Sequence, residues 1–159
     1  MEVNLFDYTE EIFKMTETNG VLVVSIDKQG MPNIMTIGWL LLGMHYYKKP
    51  VAVIALLPDR HTFKLLDEVE EFVIAVPKPE HKEAVTFCGE KSGRDVDKFK
   101  ETGFTQLPSV HIKPPSIKEC TLNIECRIYH KVDPPQHILK PEWVDCTVYF
   151  AEVLGVYKY

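Results

Sequence analysis

The stretch Asn33-Ile34-Met35-Thr36-Ile37-Gly38-Trp39 combines the apolar, β-branched residues of a strand with an asparagine, a threonine and a glycine. Polar side chains in a buried strand need hydrogen-bond partners, because each one left without a partner costs about 1–3 kcal/mol. A neighbouring strand is one source of partners, and a bound polar ligand is the other. The pattern of this stretch alone favours the neighbouring strand, so the rest of the chain has to decide.

The chain on both sides of this stretch is predicted to form mostly strands. Val21 to Ile26 is rich in β-branched residues, a turn follows, and Pro32 to Leu42 supplies a second strand, so this pair predicts a hairpin. Ile117 to Val132 and Trp143 to Tyr157 alternate polar and apolar residues, as half-buried antiparallel strands do. Hairpin-like connections of this kind favour a closed or partly closed antiparallel barrel.

Helices are predicted to be few and short. The spacing of apolar residues predicts helices over Asp7 to Thr18, from about Arg60 to Val69, and over Asp95 to Lys100. Long helices do not alternate with the strands, which argues against a doubly wound α/β fold. The prediction is therefore one mainly β domain over residues 1–159, decorated by a few short helices.

The composition limits the classes of partner. The chain has 159 residues, 45% of them hydrophobic, with 18 basic and 23 acidic residues and a formal net charge of −5. This balance argues against a broad nucleic-acid surface, which needs concentrated positive charge. We see no signal peptide and no apolar run of about 18 residues, so a cytoplasmic protein without a membrane span is expected. The four cysteines lack zinc-site spacing, and no metal site is expected.

The first candidate anion site is Arg60-His61-Thr62, which follows Pro58-Asp59 and opens a predicted helix. A helix N-terminus offers free backbone N–H groups and partial positive charge, and both attract anions. Arg60 adds a planar fork of donors that matches phosphate, and Thr62 adds a hydroxyl. In the alternative interpretation, Asp59 caps the helix while Arg60 and His61 are solvated.

The second candidate anion site is Lys91-Ser92-Gly93-Arg94-Asp95-Val96-Asp97-Lys98-Phe99. Ser92-Gly93 can bring the backbone close to a ligand, Asp95 could cap the following helix, and Lys98 lies about one helical turn beyond Arg94. The alternative is an exposed charged loop. Neither a phosphate-loop motif nor a GxGxxG fingerprint is present, so a nucleotide here would be bound by another kind of unit.

These three segments, in this order, resemble the flavin reductase-like FMN-binding proteins, and the flavoredoxin branch in particular. The segment Asp145-Cys146-Thr147-Val148-Tyr149-Phe150-Ala151-Glu152-Val153 is similar to the last barrel strand of that family, and Ile117 to Cys126 is similar to the strand before it. The resemblance covers nearly the whole chain. It implies a split β-barrel homodimer with FMN near the subunit interface.

The resemblance also implies roles for individual residues. The strand from Asn33 to Trp39 would run along the isoalloxazine ring, using backbone groups and Thr36. Arg60, Thr62 and Lys98 would hold the ribityl phosphate, while the Ser92-Gly93 loop would lie over the flavin. The complete set of candidate flavin-binding residues is Asn33, Met35, Thr36, Ile37, Trp39, Arg60, His61, Thr62, Ser92, Gly93 and Lys98.

One departure from the family concerns the reaction. Many members have a histidine beside the aspartate at the start of the last strand, where it is associated with the nicotinamide site, and here that position is Cys146 after Asp145. A thiol does not titrate like an imidazole, which puts the use of NAD(P)H in question. His137 is nearby in sequence and is a possible substitute.

Three functions stay open at this point. The first is an FMN-dependent oxidoreductase that uses NAD(P)H or a redox protein partner. The second is a non-catalytic FMN-binding protein for flavin storage or sensing, and the third is an interaction domain without flavin.

Overall fold

The structure is a computed structural model that describes residues 1–134 and 145–159. The strands are β1 (Val21–Ile26), β2 (Pro32–Ile37), β3 (Leu40–His45), β4 (Lys49–Leu56), β5 (Glu71–Val76), β6 (Gln106–Leu107), β7 (Ser116–Ile117), β8 (Leu122–Val132) and β9 (Thr147–Tyr157). The α-helices are α1 (Thr9–Thr18), α2 (His61–Glu68), α3 (Lys82–Glu90) and α4 (Lys98–Thr102), and 3-10 turns cover Leu5–Tyr8, Tyr46–Lys48 and Pro79–His81. Within these two ranges, no helix combines the length and the apolar character needed to cross a bilayer.

The main sheet has seven strands in the order β2-β1-β5-β8-β9-β4-β3, and every described pairing in it is antiparallel. Its two edges, β2 and β3, are joined by only Gly38 and Trp39. This link spans at most about 11 Å, whereas the edges of a flat seven-stranded sheet would lie about 29 Å apart. The sheet must therefore curl until its edges approach each other, which confirms the predicted antiparallel barrel.

The predicted second strand, Pro32 to Leu42, is wrong as a single strand. The hairpin of β1 with β2 is confirmed, with Val21 opposite Ile37 and Ser25 opposite Asn33. After Ile37 the chain leaves β1, and Leu40 begins β3 at the other edge of the sheet. Apolar residues continue directly after Gly38, so the pattern does not reveal the break, although a glycine inside a strand often marks a bend.

Other element boundaries also differ from the predictions. Helix α4 begins at Lys98 rather than Asp95, because the side chain of Asp97 caps it by accepting a hydrogen bond from Lys100 N at 3.2 Å. The predicted strand Ile117 to Val132 is interrupted by a turn at 118–121. The last strand begins at Thr147, and the predicted residues before it, Trp143 and Val144, lie outside the described residues.

Two clusters of buried side chains lie on opposite faces of the curled sheet. Val21 and Val23 of β1 point into the barrel, and Leu22 and Val24 point outward. The inner cluster draws on every strand from β1 to β5 and on β8 and β9, and α1 packs against it. The outer cluster includes residues of α3 and α4. These two helices are therefore held against the outside of the sheet beside β2.

The contact between Gly20 and β2 gives a test of the fold. Gly20 and Gly30 both have φ of 86°, and a left-handed backbone costs a residue with a side chain about 1–2 kcal/mol. An added Cβ at Gly20 would lie 2.7 Å from Thr36 Cγ2 and 2.9 Å from Ile37 O, whereas at Gly30 nothing lies within 4 Å. We expect Gly20→Ala to lower the free energy of unfolding, measured with urea, by clearly more than Gly30→Ala. Equal losses would show that this close approach to β2 does not matter.

Candidate functional site

A cavity of about 330 Å³ lies where β2, the start of α2 and the connection from α3 to α4 meet. This volume is in the range of small-molecule binding sites. Its lining consists of Asn33, Met35, Thr36, Asp59, Arg60, His61, Thr62, Cys88, Gly89, Glu90, Lys91, Ser92, Gly93, Arg94 and Lys98. The structure thus brings nine of the eleven candidate residues together around one space.

Two candidate residues do not belong to this lining. Ile37 is buried with the inner cluster of the barrel, and Trp39 lies in the link between β2 and β3 with 37% of its surface exposed. The reason is the break after Ile37, which directs the chain away from the cavity. The first half of the stretch 33–39 lines the cavity, and the second half closes the barrel.

The polar side chains of β2 have partners on helices, which neither interpretation of the sequence predicted. Asn33 Nδ2 donates to Thr62 Oγ1 of α2 at 3.1 Å. Thr36 Oγ1 donates to the Val85 carbonyl of α3 at 2.5 Å. Because β2 is an edge strand, these side chains fasten both helices to it. Contacts within the protein therefore form the walls of the cavity.

The start of α2 forms one end of the cavity. Its N-cap residue is Arg60, which makes no side-chain capping hydrogen bond. The alternative in which Asp59 caps the helix is therefore wrong; Asp59 Oδ1 instead lies 3.6 Å from Arg60 Nε. In the first turn, Phe63 N donates to the Arg60 carbonyl at 3.1 Å, whereas the N–H groups of His61 and Thr62 come too early in the helix to reach a carbonyl of it, and the helix dipole makes this end positive. Together these features favour an anion.

The loop that contains Ser92, Gly93 and Arg94 closes against the start of α2. A side-chain carbon at Gly93 would overlap Asn33 Oδ1 and would lie 2.9 Å from His61 Cδ2, so only a glycine fits this contact without movement. Arg94 Nη1 donates to the Asp59 carbonyl at 3.1 Å, and Arg94 N donates to Ser92 Oγ at 3.2 Å. As the alternative of an exposed charged loop predicted, Lys91, Arg94 and Asp95 are exposed, but the loop is held against the start of α2 by these contacts.

Lys98 is the most buried cation of the cavity, with only 4% of its surface exposed. Its Nζ donates to the Ile34 carbonyl at 2.7 Å and to the Cys88 carbonyl at 2.8 Å, and so links α4 to β2 and α3. An ammonium has three donors, and one is left after these two bonds. Burial lowers the pKa of Lys98, and the nearby charge of Arg60 lowers it further. The phosphate-binding role predicted for Lys98 stays a prediction. Its two hydrogen bonds to backbone carbonyls give it a structural role.

The cavity is positively charged although the chain as a whole is negative. Four cationic residues and two carboxylates line it, against a formal net charge of −5 for the whole sequence. Burial lowers the pKa of His61, and the charges of Arg94, Lys64 and Lys98 add to this effect. The Nδ1 atom of His61 is buried and has no hydrogen-bond partner in the part of the chain that the structure describes. An anionic ligand with polar groups suits these features.

Several lining residues were missed in the analysis of the sequence. Cys88 and Gly89 end the helix that packs on β2, and a Cβ at Gly89 would lie 3.3 Å from Thr36 Cβ. The signal available for them is a glycine, Gly89, next to the apolar residues Phe87 and Cys88. Burial raises the pKa of the Cys88 thiol to about 11, so this group stays protonated at neutral pH.

Cys146, at the position where the family often has histidine, is half-buried just before β9. Burial raises its thiol pKa, the carboxylate of Asp145 raises it further, and the charge of Arg60 opposes both. The thiol therefore does not supply the near-neutral titration of an imidazole. The candidate substitute, His137, lies outside the described residues.

Two relatives match two thirds or more of this chain. An uncharacterized protein of Archaeoglobus fulgidus is 34% identical over 136 residues, which cover 86% of this chain and 69% of the relative. An uncharacterized protein of Pyrococcus abyssi is 39% identical over 108 residues, which cover 67% of this chain and 60% of the relative. The chain thus spans well under the full length of both relatives.

Three solved structures resemble the fold. Flavoredoxin of Desulfovibrio vulgaris has a TM-score of 0.72 and 25% identity, and the match covers 87% of this chain and 68% of flavoredoxin. A split barrel domain protein from Shewanella frigidimarina has a TM-score of 0.74 at 16% identity, covering 99% of this chain and 75% of that one. An FMN-binding domain of a flavin reductase-like enzyme from Shewanella baltica has a TM-score of 0.71 at 19% identity. This match covers 99% of this chain and 76% of that domain.

The fold of the chain is therefore the split barrel seen in these structures. The sequence pattern of the flavin reductase like domain matches residues 15–158, nearly the whole chain. This protein belongs to the flavin reductase like domain family.

Proposed function

We propose that this protein binds FMN in the cavity beside β2 and acts as an oxidoreductase of the flavoredoxin type. The observation that carries the proposal is the uncapped start of α2, which faces a cavity rich in positive charge. FMN has a dianionic phosphate, a polar ring edge and a broad apolar face. Flavoredoxin and an FMN-binding domain are among the proteins whose folds match this chain. When bound, the flavin supplies the redox chemistry.

The residues present fit such a cofactor. Arg60, Thr62 and the backbone N–H groups at the start of α2 would hold the phosphate, because charge-assisted bonds to phosphate are short and strong. Gly93 lets the loop close against Asn33 and His61 at the cavity wall, and His61 lines the same space. Met35 supplies an apolar contact at the edge strand.

The contacts between helices and β2 would orient the cofactor by fixing the walls around it. The bonds from Asn33 to Thr62 and from Thr36 to Val85 hold α2 and α3 at set positions along β2. A site whose groups are already positioned loses less conformational entropy on binding. Lys98 lies in the wall with two backbone partners, so its charge is fixed relative to the cavity.

The phosphate site is tested by comparing FMN with riboflavin, which lacks the phosphate. We expect Arg60→Ala to weaken FMN binding by about 10- to 100-fold, since a charge-assisted bond contributes roughly 1.5–3 kcal/mol. Riboflavin binding should change little. Arg127→Ala is the matched control, because the side chains of Arg60 and Arg127 are both 51% exposed and Arg127 lies outside the cavity.

Quenching of flavin fluorescence gives both affinities. If Arg60→Ala weakens FMN and riboflavin equally, the phosphate assignment is wrong. If the unaltered protein neither purifies with a flavin spectrum nor quenches added FMN, the cofactor proposal itself fails, and an interaction domain without flavin becomes the better description.

A second candidate function is a non-catalytic FMN-binding protein for flavin storage or sensing. The observation that favours it is Cys146, whose pKa is raised by burial and by Asp145 and which therefore cannot titrate as an imidazole would. The two functions share the cofactor and differ only in whether an electron donor reaches it.

Stopped-flow mixing of the FMN-loaded protein with NADH or NADPH separates these functions. If the protein is a nicotinamide-dependent reductase, the absorbance of the oxidised flavin should bleach, and Cys146→His should accelerate the bleaching. If neither nucleotide bleaches the flavin in either protein, the donor is not a nicotinamide, and a redox protein partner is proposed instead. Absence of turnover with every donor and acceptor would favour storage or sensing.

We also infer that two copies of the chain form a homodimer. Large apolar side chains are exposed on β3 and on the turn after it: Leu41 (55%), Met44 (53%), Tyr46 (80%) and Tyr47 (93%). A short segment with this many exposed large apolar side chains indicates a protein–protein interface. It lies at the edge of the barrel opposite β2 in the strand order, where pairing with a second copy would cover it.

Sedimentation velocity tests this inference. The unaltered protein should sediment as a dimer, and Met44→Lys should shift it toward the monomer because a charge would be buried in the contact. Val110→Lys is the control, since Val110 is 62% exposed but lies on a different loop. A monomer for the unaltered protein, or no difference between the two variants, would contradict the assigned surface.

A further inference from the structure

His61 has an unusual environment for a histidine at the edge of a cavity. It is the first residue of α2, and its ring touches the loop at Gly93, which approaches too closely to carry a side chain. Its Nδ1 atom is buried and has no partner among the residues that the structure describes. Other atoms of the residue line the cavity together with Arg94 and Lys98, so an anion bound there changes the charge around the ring.

The charged groups around His61 are mostly positive. Arg94 approaches from the loop after α3, Lys64 lies on the same helix, and Lys98 approaches from α4. The only opposing charge among those acting on it in the described residues is Asp27, in the turn between β1 and β2. The positive end of the α2 dipole also disfavours a proton on this ring.

These surroundings keep the imidazole neutral when the cavity holds no anion. Burial is the largest cause of the lowered pKa of His61, and the three cations are the next. The cations are also the groups that a phosphate would neutralise. A phosphate at the start of α2 would therefore remove much of what opposes protonation, and it would add a negative charge close to the ring.

We propose that His61 takes up a proton when a phosphate-bearing ligand binds in the cavity, so that binding of the phosphate is coupled to protonation. The proton comes from the solvent and adds to the ring nitrogen that carries no hydrogen in the neutral imidazole. No covalent bond forms between the ring and the ligand. The protonated ring then faces the anion as a further cation at the start of α2. This inference rests on the proposed FMN function and assigns a role to a residue of the same site.

The sign of the pH dependence follows from linkage. The pKa of His61 is low in the ligand-free protein and higher in the complex, so the complex holds more protons between these two values. The imidazole therefore strengthens phosphate binding as the pH falls through this window, and has no effect above it. The phosphate itself ionises at about pH 6 and has its own effect on affinity. A variant without the imidazole keeps the pH dependence that comes from the phosphate. Comparing it with the unaltered protein isolates the pH dependence that comes from His61.

Calorimetry of FMN binding in buffers of different ionisation enthalpy counts the protons taken up. The proteins compared are the unaltered chain, His61→Asn, and His130→Asn as the control for loss of an imidazole outside the cavity. Near neutral pH we expect the unaltered protein and His130→Asn to take up more protons per FMN than His61→Asn, by at most about one. Riboflavin should cause no such difference.

Nuclear magnetic resonance of the imidazole groups gives an independent readout that does not depend on the variant folding well. The signal that disappears in His61→Asn, or that shifts most on addition of FMN, is titrated with and without FMN. We expect its pKa to lie below the ordinary histidine value without ligand and to rise with FMN, whereas riboflavin leaves it unchanged.

The outcomes separate this inference from the proposed function. If FMN binds with the same proton uptake in all three proteins and the His61 pKa does not move, the coupling is wrong and FMN binding stands. If FMN does not bind at all, both the cofactor proposal and the coupling fail.

Discussion

The two-residue link between β2 and β3 is the constraint on which the rest of the structure depends. Gly38 and Trp39 join strands at opposite edges of a seven-stranded sheet, and so short a link can be satisfied only by a closed curl. The curl places the inner cluster inside a barrel. It also leaves β2 with one side paired to β1 and the other side without a neighbouring strand in the sheet order.

The unpaired side of β2 explains the position of the cavity. Exposed strand edges invite unwanted pairing, and proteins commonly cover them with helices or charges. Here Lys98 bonds to the Ile34 carbonyl, and Thr36 bonds to α3. The covering elements meet the start of α2 without filling the space between them. The same edge therefore terminates the barrel and provides one wall of the candidate site.

The sequence predicted the class of fold and many of the residues that line the cavity. It did not predict the contacts between distant residues that produce the fold and bring those residues together. The hairpin at β1 and β2 follows from β-branched residues on either side of a turn, and the two long last strands follow from alternation; both are properties of neighbouring residues. The break at Gly38 does not follow, because the apolar run continues directly after it. The chemistry of Arg60 and Thr62 predicted an anion site, and only the family resemblance placed Gly93 at the same site, in the loop over the flavin.

Partners that depend on tertiary contacts could not be predicted. Nothing local indicates that Asn33 bonds to Thr62, or that the Lys98 ammonium is buried against two carbonyls. Asp97 rather than Asp95 caps α4, and both aspartates satisfy the capping preference equally well. Ile37 was included because it belongs to the same apolar stretch as Asn33, but its side chain faces the barrel interior.

The closure of the loop at Gly93 onto Asn33 and His61 has a consequence for the lifetime of the protein. The walls of the cavity come from segments about 60 residues apart in the chain, so the unfolded chain has no equivalent place for an anion. A ligand that binds only the folded state stabilises it in proportion to the logarithm of its free concentration. The free concentration of such a ligand would then shift the folded fraction of this chain, and with it the fraction open to proteases.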